Sequence, residues 1–358
     1  MLTGTTGIIA LAAIAALTVN LLLTPVILRL SHTFQWYDQN DHRKIHTEDT
    51  PRIGGIGIVV SFLLASVGGM IWIATSPQVS DSGMASAMVR ELGPVYAGLC
   101  IIFGIGIVDD FRNLRAIVKL LAQIAAGLLV SFSTFRITGL SVPGLGTLGF
   151  GLLGYPLTVL WIVGLVNAMN FIDGMDGLAG STSLVASLFL SAIAFALGNQ
   201  LVGMLALILA GSLLGFLVFN VPPAKIFMGD SGSTSLGFLL AVLPLFGGSS
   251  DYGQMGLVPT VTLLMIPVID TAAAILRRLR KGVPIYRPDR EHLHHKLLDL
   301  KFSTWKILFL VCGGGTVAGA AALAWVTLAP AAAAGSVVAV WIIAIAGFLH
   351  LHKIRHSQ

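Results

Sequence analysis

The sequence predicts an all-α polytopic membrane protein of about eleven transmembrane helices, and three observations predict it. Only 10% of the 358 residues are charged and 56% are hydrophobic, with a mean hydropathy of +0.90. A soluble domain of this length would carry far more Lys and Glu on its outside. Apolar runs of roughly 20 residues, long enough to cross a bilayer as helices, recur along the chain. The basic residues are also lopsided: of the 21 Lys and Arg, all but Arg90 and Arg136 fall on the loops of one face or at helix ends that reach it. By the positive-inside rule that face is cytoplasmic, the N-terminus outside and the C-terminus inside. The pI of about 9.4 then reflects topology, and no nucleic-acid partner is expected.

The expected spans are 4–30, 54–75, 94–108, 116–134, 152–169, 177–197, 201–219, 232–248, 255–276, 306–328 and 334–351, the third and eighth being short. The first run has no basic n-region before it and no small-residue cleavage site after it, so it reads as a retained helix. The chain 1–358 is one integral-membrane domain. Its motif-bearing loops, 31–53, 109–115, 170–176, 220–231 and 277–305, all fall on the basic face. The Gly/Pro-rich stretch 135–151, with Arg136 and Pro143, predicts a short outer hairpin without chemistry. Cys100 and Cys312 lie inside apolar runs and read as buried structural thiols with no disulfide.

The polar clusters follow in order. Asp41-His42-Arg43-Lys44-Ile45-His46 precedes Pro51-Arg52-Ile53-Gly54-Gly55, a tight turn that brings backbone N–H groups near an anion. Asp109-Asp110 ends the third span; adjacent carboxylates repel one another beside a bilayer unless a cation or proton joins them. Lys119 and Gln123, one turn into the fourth helix, need a counter-ion, which the site carboxylates or a phosphate would supply. In Asn167-Ala168-Met169-Asn170-Phe171-Ile172-Asp173-Gly174-Met175-Asp176-Gly177, Asn170, Asp173 and Asp176 recur every three residues and share a face in helical geometry. In Phe227-Met228-Gly229-Asp230-Ser231-Gly232-Ser233, Phe227 can stack on a planar base. Asp230 stands at the start of the eighth helix, as a site residue or as its N-cap, and the serines there offer donors to phosphate oxygens. Asp270 reads as structural, mattering for folding. His292-Leu293-His294-His295, beside Arg287, Arg290 and Lys296, suits a diphosphate-binding arm better than zinc, since no Cys ligands accompany it.

Hard oxygen ligands select Mg²⁺, with Mn²⁺ possible, and Mg²⁺ usually bridges protein to substrate phosphates. Such a site at headgroup level suits phosphoryl transfer between a soluble nucleotide-linked donor and a lipid phosphate, catalysed by positioning and charge neutralisation.

These motifs, in this order over about 50–295, resemble those of the polyprenyl-phosphate N-acetylhexosamine-1-phosphate transferases, the superfamily that includes phospho-MurNAc-pentapeptide transferase. The resemblance implies attack of a lipid phosphate on the β-phosphate of a UDP-sugar, with release of UMP, at the bacterial plasma membrane. It implies a catalytic group of Asp109, Asp110, Lys119, His292 and His294, with Asp109 as base or lipid-phosphate handler and the histidines meeting the sugar diphosphate. It makes Asn170 and Asp230 metal-site positions and puts Asp176, Asn220 and Phe227 around the uracil, with Asp173 grouped with them on the nucleotide side. The interrupted histidine run and Pro-Arg-x-Gly-Gly resemble the branch that uses UDP-GlcNAc and undecaprenyl phosphate. Another UDP-N-acetylhexosamine, or UDP-MurNAc-pentapeptide, is the alternative donor, and a homodimer is compatible with the reading. A secondary transporter should carry inverted repeats and midplane ligands, which the chain lacks. An inactive scaffold should have lost a motif aspartate, and none is missing.

Overall fold

The computed structural model describes residues 2–37, 50–75, 84–142, 146–246, 255–284 and 291–356. The stretches Asp41-His42-Arg43-Lys44-Ile45-His46 and Arg287-Pro288-Asp289-Arg290, together with Pro143, lie outside them. In chain order the helices are α1 (Leu2–Phe34), α2 (Gly55–Thr75), α3 (Met84–Arg112), α4 (Ala116–Ser131), α5 (Gly154–Ile172), α6 (Leu178–Ala196) and α7 (Gln200–Asn220). They continue with α8 (Gly229–Val242), α9 (Leu257–Leu263), α10 (Met265–Arg280), α11 (Leu293–Asp299), α12 (Thr304–Thr327) and α13 (Pro330–His356). Between α4 and α5 the strands β1 (Gly139–Val142) and β2 (Gly146–Gly149) pair antiparallel, Gly139 opposite Gly149, as the turn-rich stretch predicts.

Among the described residues eight helices are long and apolar enough to cross a membrane, or up to nine if the bent pair α9–α10 forms one span. Helices α4 and α8 are shorter, with 16 and 14 residues. The expected third span is not short. Helix α3 runs 29 residues through Pro94, a residue that membrane helices tolerate because neighbouring groups re-satisfy the freed carbonyl. The ninth span is broken instead, with α9 and α10 meeting at 84°. Pro267 offers no N–H to the Leu263 carbonyl, and Leu264 takes up the turn.

Helices α7 and α8 form the centre. In α7 78% of the apolar window is buried inside the protein, against 11% in α13, whose sides are left for lipid. All of α8 is buried, between α2, α3 and α5. Its small, hydroxylated sequence explains how. Ser233, Thr234 and Ser235 each turn their hydroxyl back onto the carbonyl four residues earlier, which satisfies them in an apolar bundle. Small residues let neighbouring helix backbones approach closely: Gly106 of α3 lies against Ser231 and Gly237 against Val166 of α5. The cysteines depart from expectation. Cys100 is exposed and Cys312 half-buried, because a helix apolar all round carries no pattern to say which side meets protein.

Candidate functional site

At one end of the bundle meet the C-termini of α3, α5, α7 and α10 and the N-termini of α2, α4, α6 and α8. Two loops lock together there in strand-like fashion. Phe227 N–H donates to the Pro51 carbonyl (2.8 Å), Gly54 N–H to Phe227 (2.9 Å) and Gly55 N–H to Met228 (2.8 Å). Gly229 makes the turn into α8 with φ +74°; a Cβ there would run into the Arg52 carbonyl and the Asp110 carboxylate, so the position admits only glycine.

The adjacent aspartates turn to different protein partners. Asp110 reaches across to α8 and accepts from the N–H groups of Asp230 (2.7 Å) and Ser231 (3.1 Å). It therefore caps α8 from a different helix, where a negative charge also meets the positive end of the helix dipole. Asp230 lies inside the first turn and is not the cap. Those two donors are accordingly not open to a phosphate, nor is the Ser233 hydroxyl, which bonds Asn170 Oδ1 (3.0 Å). Asp109, buried, accepts from Leu114 N–H (2.6 Å) and from Lys119 Nζ (2.8 Å).

Lys119 joins the pieces, its ammonium lying 2.9 Å from Asp230 Oδ2 as well. Asp230 Oδ1 receives Arg52 Nη2 at 2.8 Å, and Asn170 Nδ2 stands 3.3 Å from Asp230 Oδ2. Two cations thus face two buried carboxylates, an arrangement that balances charge and leaves Lys119 and Arg52 partly exposed. A small cavity of about 10 Å³ lies beside Lys119 and Asp230, lined also by Ile102, Ile105, Ala122 and Thr234.

Asp173, directly after α5, has its carboxyl pushed up to about 7 by burial; Asp230, Asp110 and Asp176 add to the rise against the pull of Arg52. On the next loop the polar atoms brace backbone. Asp176 Oδ2 accepts from Ala224 N–H (3.0 Å). Asn220 bonds Gly177 N–H (3.1 Å) and the Ile226 carbonyl (2.8 Å). The two residues shape the loop that presents half-buried Phe227.

The histidine arm docks on the same end. His292 Nδ1 lies 2.8 Å from Asp270 Oδ2, and its ring is 5.4 Å from Phe171 and 6.2 Å from His294, parallel to within 5°. His294 is buried with neither ring nitrogen hydrogen-bonded. Burial, with His295 and His292 nearby, pulls it down to about 3, so the imidazole is neutral. The structure thus joins Asp109, Asp110, Lys119, Asn170 and Asp230 in one network, with Asp173 beside it. Asp176 on the α5–α6 loop and Asn220 at the end of α7 adjoin the loop that carries Phe227, and His292 and His294 stand at the start of α11. Sequence reasoning left Arg52 undistinguished among the loop cations and gave Asp270 mainly a folding role, with a direct site role as the lesser alternative. An intramembrane carboxylate in an apolar helix was the available signal for the second.

Among the described residues no three His, Cys, Asp or Glu side chains are grouped to hold a metal by themselves. Asp230 with Asn170 is an oxygen pair suited to a hard cation that completes its shell with substrate oxygens and water. Asn170 would turn its amide oxygen toward the ion, an orientation that the hydrogen-bond network alone decides.

A polytopic helical bundle with carboxylates, amides and cations gathered at one end defines a membrane protein with a charged polar site at that end. Residues 93–248 match the model of the family described as glycosyl transferase family 4. Over 296 residues the chain is 35% identical to the probable undecaprenyl-phosphate N-acetylglucosaminyl 1-phosphate transferase of Bacillus subtilis (strain 168), covering 82% of this chain and 78% of that one. It is 34% identical to the decaprenyl-phosphate N-acetylglucosaminephosphotransferase of Mycobacterium tuberculosis (75% of this chain, 70% of that one). It is 26% identical to the phospho-N-acetylmuramoyl-pentapeptide-transferase of Staphylococcus aureus (86% and 96%). The chain belongs to this family of polyprenyl-phosphate N-acetylhexosamine-1-phosphate transferases.

Proposed function

We propose that the protein transfers N-acetylglucosamine 1-phosphate from UDP-GlcNAc to undecaprenyl phosphate, at the cytoplasmic face of a bacterial plasma membrane, as the first lipid-linked step of a cell-envelope polysaccharide. A phosphate oxygen of the lipid forms a bond to the β-phosphorus of the donor. The bond from that phosphorus to the bridging oxygen breaks, and UMP leaves with the electron pair. The lipid phosphate is largely dianionic near neutral pH, since the second ionisation of a phosphate monoester lies near 6. The main obstacle is therefore bringing two anions together, and the remedy is positive charge held in place.

The observation that carries this reading is Lys119 bridging Asp109 and Asp230, with Arg52 on the other oxygen of Asp230. The carboxylates hold both cations in place, and Lys119 borders a small cavity with Ile102, Ile105 and Ala122 on its wall. Asp109 serves there as the holder of Lys119. Mg²⁺, held by Asp230 and Asn170, would supply further charge neutralisation at the substrate phosphates. Asp176 and Asn220 keep Phe227 in place for the uracil, and His292 and His294 face the sugar diphosphate. GlcNAc is preferred as the donor sugar because the two relatives named for it are 35% and 34% identical, against 26% for the muramoyl-pentapeptide enzyme.

Purified protein with Mg²⁺, undecaprenyl phosphate and a panel of UDP-sugars tests the reading by UMP release. Release with UDP-GlcNAc is the expected result, and release only with another UDP-amino sugar keeps the reaction and changes the donor. No release from folded protein with any donor overturns it. Asp230→Asn should abolish Mg²⁺-dependent turnover in a protein that still folds; full activity in that variant removes the metal assignment.

A further inference from the structure

Asp270 is a buried carboxylate in α10, and its two oxygens are directed at the histidine arm. Oδ1 accepts from Leu293 N–H, the first residue of α11, at 2.8 Å. Oδ2 takes His292 Nδ1 at 2.8 Å. An ionised carboxylate only accepts, so the proton of a neutral His292 ring sits on Nδ1 and the Nε2 lone pair is left to work. That nitrogen has no hydrogen-bond partner among the described residues. The ring is also packed against other rings, with Phe171 5.4 Å and His294 6.2 Å away between centroids. His294 rests on the loop after α5, where a Cβ on Gly174 would come within 2.5 Å of its Nε2; a side chain at residue 174 would push the arm away from the site.

We infer that Asp270 is a positioning residue for transfer: it fixes the tautomer and aim of His292 toward the donor's sugar diphosphate. This rests on the transfer reaction proposed above. An anchor for α11 would need only the bond to Leu293. The second oxygen instead fixes the chemistry of a ring, in the way that outer partners orient working imidazoles elsewhere.

The test is a double-mutant cycle on kcat/KM for UMP release, using the full chain in nanodiscs with Mg²⁺, UDP-GlcNAc and undecaprenyl phosphate. Asp270→Asn is isosteric and keeps an acceptor for Leu293, so its melting temperature should stay near that of the wild type. Its kcat/KM should fall by about 10- to 100-fold, the range for loss of an outer-shell partner. In a His292→Ala background the same change should cost nothing more. Losses that multiply independently, or an unchanged kcat/KM, overturn the inference. A second arm needs no turnover. ¹⁵N-histidine NMR at a pH where the ring is neutral, with His292→Ala identifying the signal, should give an Nδ1–H tautomer in the wild type and Nε2–H in Asp270→Asn. An Nε2–H tautomer in the wild type overturns the inference, and if Asp270→Asn does not fold the wild-type spectrum alone decides. Wild type that releases no UMP refutes the transfer reading, and the tautomer then settles the role of Asp270 separately.

Discussion

Asp173 shows how the site stores electrostatic cost in single residues. Three other carboxylates and one guanidinium surround it, and burial makes its charged form unfavourable, so its folded value near 7 lies above the ordinary 3.8. A raised carboxyl favours the fold when protonated. The contribution is fully present below the unfolded value near 4 and is lost as pH rises through 7. Asp173→Asn lacks that loss. In a chelator, thermal melts of variant and wild type should coincide near pH 4 and diverge by pH 8, with the variant the more stable. Curves that stay parallel across this range refute the account. The spacing predicts that Asn170, Asp173 and Asp176 share a helical face, but α5 ends at Ile172 and both aspartates stand on the loop after it. That Arg52 pulls against Asp173 was not legible, because it lies 121 positions earlier in the chain and only tertiary packing brings it near.

Helix α8 shows what an element needs from its neighbours. Its first turn offers N–H groups in a buried place, where leaving them unpaired costs roughly 1–3 kcal/mol each. The acceptor comes from Asp110, 120 residues earlier. The Asp109-Asp110 pair was legible as part of a polar cluster but not as two separate devices, since adjacent side chains on a helix point about 100° apart and only the partners tell them apart. The break between α9 and α10 was hidden for a related reason: hydropathy runs smoothly through Leu264, while Pro267 gives a warning that membrane helices often ignore. Asp110→Asn keeps one acceptor and turns an amide donor toward the second N–H. It should destabilise the protein by about 1–2 kcal/mol, the scale of a lost cap, and lower turnover along with it. A drop in kcat with an unchanged melting temperature would instead make Asp110 a purely chemical group.

At the scale of the whole molecule, the polar residues of loops far apart in sequence meet because the spans alternate direction and return them to one end. This much the distribution of Lys and Arg made legible, since Arg277, Arg278 and Arg280 close α10 at the end where the site lies. The same asymmetry supports the proposal that the site end is cytoplasmic, where a nucleotide-linked donor would have access. Lys301, exposed just after α11, marks that end, and Leu152, exposed beside the hairpin, marks the other. In a protein with Cys100 and Cys312 replaced by Ala, a membrane-impermeant maleimide applied to intact cells should label Leu152→Cys and spare Lys301→Cys. In inverted vesicles the pattern should reverse. Labelling of Lys301→Cys from outside would turn the site away from the cytoplasm. Lys119, Arg52 and the histidine arm would then face a compartment without UDP-sugars, and the transfer reaction would lose its donor however well the site is built.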